Sequence, residues 1–259
     1  MAEGSPRRPL ARLPLPLPVP LPSAELVERA RAFQTANTPP VAPKPSATVI
    51  LLRDNGDRLE VFLLRRHAAM DFAGGMHVFP GGTVDPSDES VEMTAIRETF
   101  EESGVLFAVG DPPDQALLEQ DRLALVAHRT TLADVLARHR LTARPELLRL
   151  WSRWITPEFE PRRYDTHFFV ALAPVGQHAR DVGGESDDAA WVTPRAALTN
   201  AERGEWFLMP PTESTLRELL VHRSAGDVFA AAETRTPYVI QASVDLGADP
   251  PVFVFEATT

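Results

Sequence analysis

The sequence lacks several residue types on which catalytic and metal sites often depend. None of its 259 residues is cysteine, which excludes disulfides, zinc-thiolate sites and thiol nucleophiles. Lys44 is the only lysine and lies in a Pro-rich linker, so neither Schiff-base chemistry nor a P-loop lysine is expected. We therefore expect any chemistry to come from carboxylates, arginines, histidines and hydroxyls.

Long apolar runs and an excess of positive charge are also missing. No window of about 18 uninterrupted apolar residues exists, so we expect a soluble, cytoplasmic protein with no membrane partner. The formal net charge is -10, with 26 Lys and Arg against 36 Asp and Glu, and this field repels nucleic acid. A phosphate substrate would need local cations from arginines or metals. The oligomeric state is left open.

Proline is concentrated at the start of the chain. It occupies every second position from Pro14 to Pro22, which forbids a helix and favours polyproline II. We predict that residues 1–22 form a disordered tail, with a targeting signal or a ligand for a proline-binding module as alternatives. A short helix and linker are predicted over residues 23–45, and one domain over residues 46–259.

The hydrophobic pattern of that domain predicts strands interleaved with helices. Two β-branched runs flank Asn55-Gly56-Asp57, a strong hairpin signal, and MHVFPGG and VLFAVG are further predicted strands. A helix is predicted from near Ser90 to Gly104, and the leucines of about residues 111–150 predict a helical insertion. Later strands and helices follow without a regular βαβ period, so the predicted class is α+β with a mixed sheet flanked by helices.

The stretch RETFEESG places three glutamates on one helix face. On a helical wheel Glu98, Glu101 and Glu102 lie opposite Ile96 and Phe100, which are predicted to be in the core. Like charges at these spacings destabilise a helix unless they bind a cation, and Mg²⁺ prefers oxygen ligands. A metal site is one interpretation of this face, and a solvated acidic face is the other.

The wider motif FPGGTVDPSDESVEMTAIRETFEESGV resembles the Nudix box. The positions that match the family pattern are Glu89, Arg97, Glu98, Glu101, Glu102, Gly104 and Val105. Two positions depart from it: Thr99 replaces an aliphatic residue, and six residues rather than five separate Gly82 from Glu89.

The resemblance implies a Nudix-type α/β/α sandwich that hydrolyses a nucleoside diphosphate linked to another moiety. It implies that Glu98, Glu101 and Glu102 ligate Mg²⁺ or Mn²⁺ and that Arg97 holds one of these glutamates in place. Glu89 would orient Arg97 or a water. The general base is left open between a glutamate of the cluster and Glu185.

Further segments, including WITPEFEPRRYDTHFF and MPPT, resemble the Nudix branch that contains the peroxisomal coenzyme A diphosphatases. That branch cleaves coenzyme A to 3',5'-ADP and 4'-phosphopantetheine. In its signature an arginine stands at the position of Asp71 here. Residues that would bind substrate are Arg65, Arg66, His77, Gly81, Gly82, Arg162 and Arg163, with plain structural roles as the alternative. Trp151, Trp154 and Phe159 would stack on adenine or lie in the core.

Two rival functions are kept. One is hydrolysis of another nucleotide diphosphate, such as NADH or ADP-ribose. The other is a non-catalytic Nudix domain that senses a ligand or binds a partner.

Overall fold

The structure is a computed structural model that describes residues 22–36, 38–67, 74–180 and 186–258. The predicted tail lies outside the described residues except for its last position, and so do Asp71 and Glu185. Within the described residues no helix is both long enough and apolar enough to cross a bilayer.

The described residues form seven α-helices and eleven strands in mixed order. The helices are α1 Ala24–Ala36, α2 Val91–Ser103, α3 Gln115–Val126, α4 Leu132–His139, α5 Pro194–Glu202, α6 Pro210–Leu219 and α7 Ala225–Thr234. The strands are β1 Lys44–Asn55, β2 Arg58–Arg66, β3 His77–Val78, β4 Gly81–Thr83, β5 Ala108–Val109, β6 Thr142–Ala143, β7 Arg149–Ile155, β8 Tyr164–Leu172, β9 Ser186–Val192, β10 Tyr238–Asp245 and β11 Val252–Thr258.

Nine of these strands form one mixed sheet. Its order is β11-β10-β7-β8-β1-β2-β3, with β4 paired to β1 and β9 paired to β2. The β1–β8 and β7–β10 pairs are parallel and the remaining pairs are antiparallel. Strands β5 and β6 form a separate two-stranded sheet.

Helices cover both faces of the large sheet, because its central strands are apolar on both sides. On one face, Ile50, Leu52 and Val61 pack with residues of α5, α6 and α7. On the other face, Val49 and Leu51 pack with residues of α2, α3 and α4. The predicted α/β/α sandwich with a mixed sheet is confirmed.

The strands β1 and β2 separate at one end and admit between them the segment Phe79 to Gly82, which we call the glycine turn. Asn55 pairs with Arg58 across the two-residue turn, where Gly56 has a φ of 66°. At the other end β2 pairs with β3 and β1 pairs with β4, with Thr48 opposite Gly81. The glycine turn is therefore part of the sheet rather than a surface loop.

Several predicted boundaries were wrong for identifiable reasons. MHVFPGG forms two short strands, because Pro80 has no N–H to continue a ladder. In VLFAVG the residues Val105, Leu106 and Phe107 are buried, but only Ala108–Val109 pairs as a strand. The helices of the insertion end at His139, and β7 already begins at Arg149. Helix α7, rich in alanine, was not predicted.

Candidate active site

Helix α2 has sequence signals at both ends and lies directly on the sheet. The side chain of Ser90 accepts a hydrogen bond from the Met93 amide, and Gly104 closes the helix with a φ of 75°. Ile96 and Phe100 are buried against the sheet, as the helical wheel predicts. The glutamates of RETFEESG therefore project from the other side of the helix.

Arg97 lies at the centre of a cluster of carboxylates. Its side chain is 6% exposed and donates from Nη1 to Oε1 of Glu98 at 2.9 Å and to Oε1 of Glu101 at 3.0 Å. Its Nη2 donates to Oδ2 of Asp88 at 3.0 Å and to the carbonyl oxygen of Thr83 at 2.8 Å. The guanidinium thus ties the β4–α2 loop (residues 84–90) to the acidic face of α2.

Asp88 takes the position against Arg97 that was expected of Glu89. The Asp88 side chain is 2% exposed, accepts from Nε and Nη2 of Arg97, and also accepts from the Thr94 hydroxyl at 2.8 Å and the Asp85 amide at 3.0 Å. Glu89, in contrast, is exposed. The residue that sequence reasoning missed had a signal, because Asp88 follows Gly82 with the five-residue spacing of the family pattern.

The glycine turn lies against Glu98 and Glu102. Oε2 of Glu102 accepts a hydrogen bond from the Gly81 amide at 2.8 Å. A Cβ at Gly82 would lie 2.5 Å from Oε1 of Glu98, and one at Gly81 would lie 2.4 Å from the Ala47 carbonyl oxygen. Both glycines are therefore required by close approach, at Gly82 by a side chain of the site and at Gly81 by the sheet.

Burial shapes the charge states within this cluster. Burial opposes the charge of Arg97, but the hydrogen bonds to Asp88 and the charges of Glu98 and Asp88 outweigh it and raise the pKa of Arg97. Burial raises the pKa of the Glu101 carboxyl, and the hydrogen bond from Arg97 offsets this only in part. Asp88, Glu98 and Glu101 contact the guanidinium, so these three carboxylates and Arg97 carry a formal excess of two negative charges, before Glu102 is counted.

The donor set fits a hard divalent cation in its chemistry. Glu98, Glu101 and Glu102 offer carboxylate oxygens, the ligands that Mg²⁺ and Mn²⁺ prefer, within a cluster of excess negative charge. Within the described residues, however, no three His, Asp or Glu side chains converge as a preformed metal cage. Instead, Arg97 draws Glu98 and Glu101 towards itself.

The arginines predicted to bind substrate have different environments. Arg163 is 6% exposed and donates to the carbonyl oxygens of Thr156 at 3.1 Å and Val41 at 2.7 Å, which is a structural role. Arg65 and Arg162 are exposed, and Arg66 is partly buried. Since Arg65 pairs with His77 in the β2–β3 ladder, it lies at the same end of the sheet as the glycine turn.

The aromatic and histidine side chains singled out from the sequence are mostly in the core. His77 is 6% exposed and its ring stacks on Trp206 with centroids 3.9 Å apart. Trp151 and Trp154 are buried among the residues of the sheet, and Arg235 lies over the Trp151 ring at 3.8 Å. Phe159 is partly buried. The structural alternative is therefore the better account of His77, Trp151 and Trp154.

An α/β/α sandwich whose glycine turn contacts an R-E-x-x-E-E-x-G helix defines the Nudix class. Residues 86–219, more than half of the chain, match the family model described as the NUDT19 Nudix domain, so the chain belongs to that family of Nudix hydrolases.

Individual relatives agree with this assignment. The chain is 29% identical over 184 residues to a Caenorhabditis elegans protein named nudix hydrolase 7, covering 67% of this chain and 60% of that protein. It is 25% identical over 270 residues to the human acyl-coenzyme A diphosphatase NUDT19, covering 74% of this chain and 66% of the human protein. The match thus spans less than two thirds of either relative.

A solved structure supports the fold independently. A crystal structure of a Nudix hydrolase from Alicyclobacillus acidocaldarius superposes with a TM-score of 0.65 at 29% sequence identity. The match covers 73% of this chain and 96% of that one. The sandwich described above is therefore shared with a Nudix hydrolase across nearly the whole of the compared chain.

Proposed function

We propose that the protein is a metal-dependent diphosphatase that hydrolyses coenzyme A or an acyl-coenzyme A to 3',5'-ADP and the corresponding 4'-phosphopantetheine. The observation that supports the reaction class is the Arg97 cluster. In it the buried guanidinium of Arg97 positions the acidic face of α2 beside the glycine turn. The observation that favours coenzyme A is the family match, since relatives from human and Xenopus laevis are named acyl-coenzyme A diphosphatases.

Glu98, Glu101 and Glu102 would hold the Mg²⁺ or Mn²⁺ ions. Such ions would neutralise the diphosphate and activate a bound water for in-line attack on phosphorus. The residues of the chain itself supply the positioning. Arg97 fixes Glu98 and Glu101 by charge-assisted hydrogen bonds, and the Gly81 amide fixes Glu102.

Asp88 contacts Arg97 rather than the glutamates that would hold the metal. Its carboxylate holds Nε and Nη2 of Arg97, which leaves Nη1 directed at the two glutamates. The Thr94 hydroxyl and the Asp85 amide in turn hold Asp88. We assign Asp88 as a positioning residue in the place that the family pattern suggested for Glu89, which is exposed.

The test is product analysis with purified wild-type protein and Glu102→Gln. Coenzyme A is incubated with Mg²⁺ or Mn²⁺, and the products are separated by chromatography. Wild type is expected to release 3',5'-ADP, and Glu102→Gln is expected to lose most turnover while melting close to wild type, because Gln keeps an oxygen for the Gly81 amide. A fully active Glu102→Gln variant would contradict the metal assignment.

A panel of other substrates separates the rival functions. Cleavage of the diphosphate in NADH or ADP-ribose releases AMP rather than 3',5'-ADP. Release of AMP alone would keep the reaction class and refute coenzyme A as the substrate. The absence of any hydrolysis, together with tight binding of one of these nucleotides, would favour the ligand sensor.

A further inference from the structure

The helical insertion forms one wall of a cleft that reaches the carboxylate cluster. This cleft has a volume of about 120 Å³, and Arg97 and Glu101 of α2 lie on one side of it. Asp85 and Ser87 of the β4–α2 loop and His128, Thr130 and Thr131 lie on the other sides. The last three belong to the α3–α4 connection (residues 127–131), to which neither the motif nor the proposed reaction assigns a role.

Arg122 anchors the helical insertion to α2. Arg122 of α3 is 1% exposed and donates from Nη1 to the Glu101 carbonyl oxygen at 2.7 Å. Its Nε and Nη2 donate to the Glu119 carboxylate at 3.0 and 2.7 Å. The α3–α4 connection therefore has a fixed position relative to the glutamates, as a wall of a binding site requires.

The backbone of the connection turns sharply at His128. This residue follows the end of α3, has a φ of 51°, and is exposed. A left-handed residue commonly ends a helix, and here the His128 amide donates to the Leu125 carbonyl oxygen at 2.8 Å and the Arg129 amide to the Ala124 carbonyl oxygen at 2.9 Å. His128 lines the cleft together with the carboxylates of Asp85 and Glu101.

The other lining donors are already engaged within the protein. Arg97 donates to three carboxylates and to the Thr83 carbonyl oxygen. The Thr131 hydroxyl donates to Oδ2 of Asp134 at 2.8 Å and accepts from the Asp134 amide, which completes the capping box of α4. The Ser87 hydroxyl donates to Oδ1 of Asp85 at 2.7 Å, so among the described lining residues His128 and Thr130 are the side chains with donors best placed to meet a ligand.

The charge beside the cleft limits what it can hold. The carboxylates of Asp85 and Glu101 line it, so a ligand anion needs hydrogen-bond donors on the side away from these carboxylates.

We propose that the α3–α4 connection is the phosphate-binding wall of the active site and that His128, with Thr130, donates hydrogen bonds to the diphosphate of the substrate. This inference rests on the proposed function for the identity of its ligand. It assigns the helical insertion to recognition of the diphosphate, the part that all the substrates considered share, rather than to discrimination among their other moieties.

The test compares His128→Gly with Arg129→Ala. Glycine removes the imidazole and adopts a positive φ without strain, so the variant is expected to fold. Arg129 is exposed, is the next residue along the chain and does not line the cleft, so its replacement controls for a general change in positive charge. Melting temperatures of both variants are measured beside wild type.

Two readouts are taken for each protein in Mg²⁺. The first is the KM and kcat for coenzyme A, and the second is the Kd of methylenediphosphonate, a diphosphate analogue that cannot be hydrolysed, by calorimetry. For His128→Gly we expect both KM and Kd to rise about tenfold, the scale of one charge-assisted hydrogen bond, with a smaller change in kcat. Arg129→Ala is expected to stay within about twofold of wild type in both.

Unchanged KM and Kd in His128→Gly would overturn the inference, and so would an equal loss in Arg129→Ala. The analogue keeps this test separate from the proposed function. If wild type cleaves none of coenzyme A, NADH and ADP-ribose, the proposed function fails, yet a tenfold loss of methylenediphosphonate binding in His128→Gly still supports the wall. If wild type does not bind the analogue, the wall itself is refuted.

Discussion

Replacement of Asp88 by asparagine tests how the site is held together. The Asp88 carboxylate accepts hydrogen bonds from Arg97, Thr94 and the Asp85 amide while almost fully buried. The contacts with Thr94, the Asp85 amide and Nη2 of Arg97 all use Oδ2, so the single carbonyl oxygen of asparagine can keep them. The substitution removes the charge of the ion pair and turns an NH₂ group towards Nε of Arg97, without creating a large cavity.

The expected loss in the free energy of unfolding depends on which ion pairs Arg97 keeps. Breaking a buried ion pair costs about 3–5 kcal/mol when the remaining charge is left uncompensated. Arg97 keeps Glu98 and Glu101, so we expect a smaller loss of stability than this, about 2–3 kcal/mol. For a chain of this size that corresponds to a fall in Tm of about 5–10 °C.

Glu89→Gln is the matched control, because it changes the neighbouring loop acid in the same way. Glu89 is exposed, so the free energy of unfolding should change by no more than about 0.5 kcal/mol. Turnover should fall about 10–100-fold in Asp88→Asn, as is usual when a positioning partner is lost, and little in Glu89→Gln. The assay is thermal melting and steady-state hydrolysis of coenzyme A; a Glu89→Gln variant with the larger loss in both would refute the account of the loop.

Three further predictions concern the glycine turn, acid stability and metal binding. Gly82→Ala should lose more turnover than Gly81→Ala, because its Cβ displaces Glu98. Gly81→Ala should lose more Tm than Gly82→Ala, because its Cβ meets the backbone of Ala47. Activity and melting assays on both variants check this, and a larger loss of turnover in Gly81→Ala with a larger loss of Tm in Gly82→Ala would contradict it. Burial lowers the pKa of His167 from its ordinary 6.5, so the unfolded chain binds that proton more tightly than the folded chain. The free energy of unfolding therefore falls as pH drops through about 6.5. Between pH 7.5 and 5.5, His167→Gln should lose less Tm than wild type, and an equal loss would contradict this. Mg²⁺ or Mn²⁺ should raise the Tm of wild type in differential scanning fluorimetry, since an ion that binds only the folded state stabilises it, and an unchanged Tm at millimolar metal would argue against the site.

Local signals in the sequence were sufficient to predict the elements that build the site. Ser90 and Gly104 mark both ends of α2, and the spacing of Ile96 and Phe100 predicts which face is buried. The hairpin at Gly56 was equally clear. These predictions succeeded because each depends on a few adjacent residues whose conformational preferences agree with the tertiary structure.

Contacts between distant residues were not predictable in the same way. The spacing from Gly82 was the one sequence signal that favoured Asp88 over Glu89, and the contacts of Asp88 with Thr94 and the Asp85 amide were not predictable from it. The burial of Arg163 and His77 depends on the Val41 and Thr156 carbonyl oxygens and on Trp206, which the linear sequence does not place beside them. The cleft at His128 depends on how α3 and α4 pack against the rest of the domain. Hydrophobic periodicity predicts that helices form but does not predict how they pack.

The most direct test of the central claim is a competition between substrates. Wild-type protein is incubated with Mg²⁺ and an equimolar mixture of coenzyme A, NADH and ADP-ribose, and the initial rates of product formation are measured by chromatography. Our account predicts that 3',5'-ADP forms faster than AMP and that Glu102→Gln forms neither at a comparable rate. Faster release of AMP than of 3',5'-ADP would contradict the assignment of coenzyme A as the substrate.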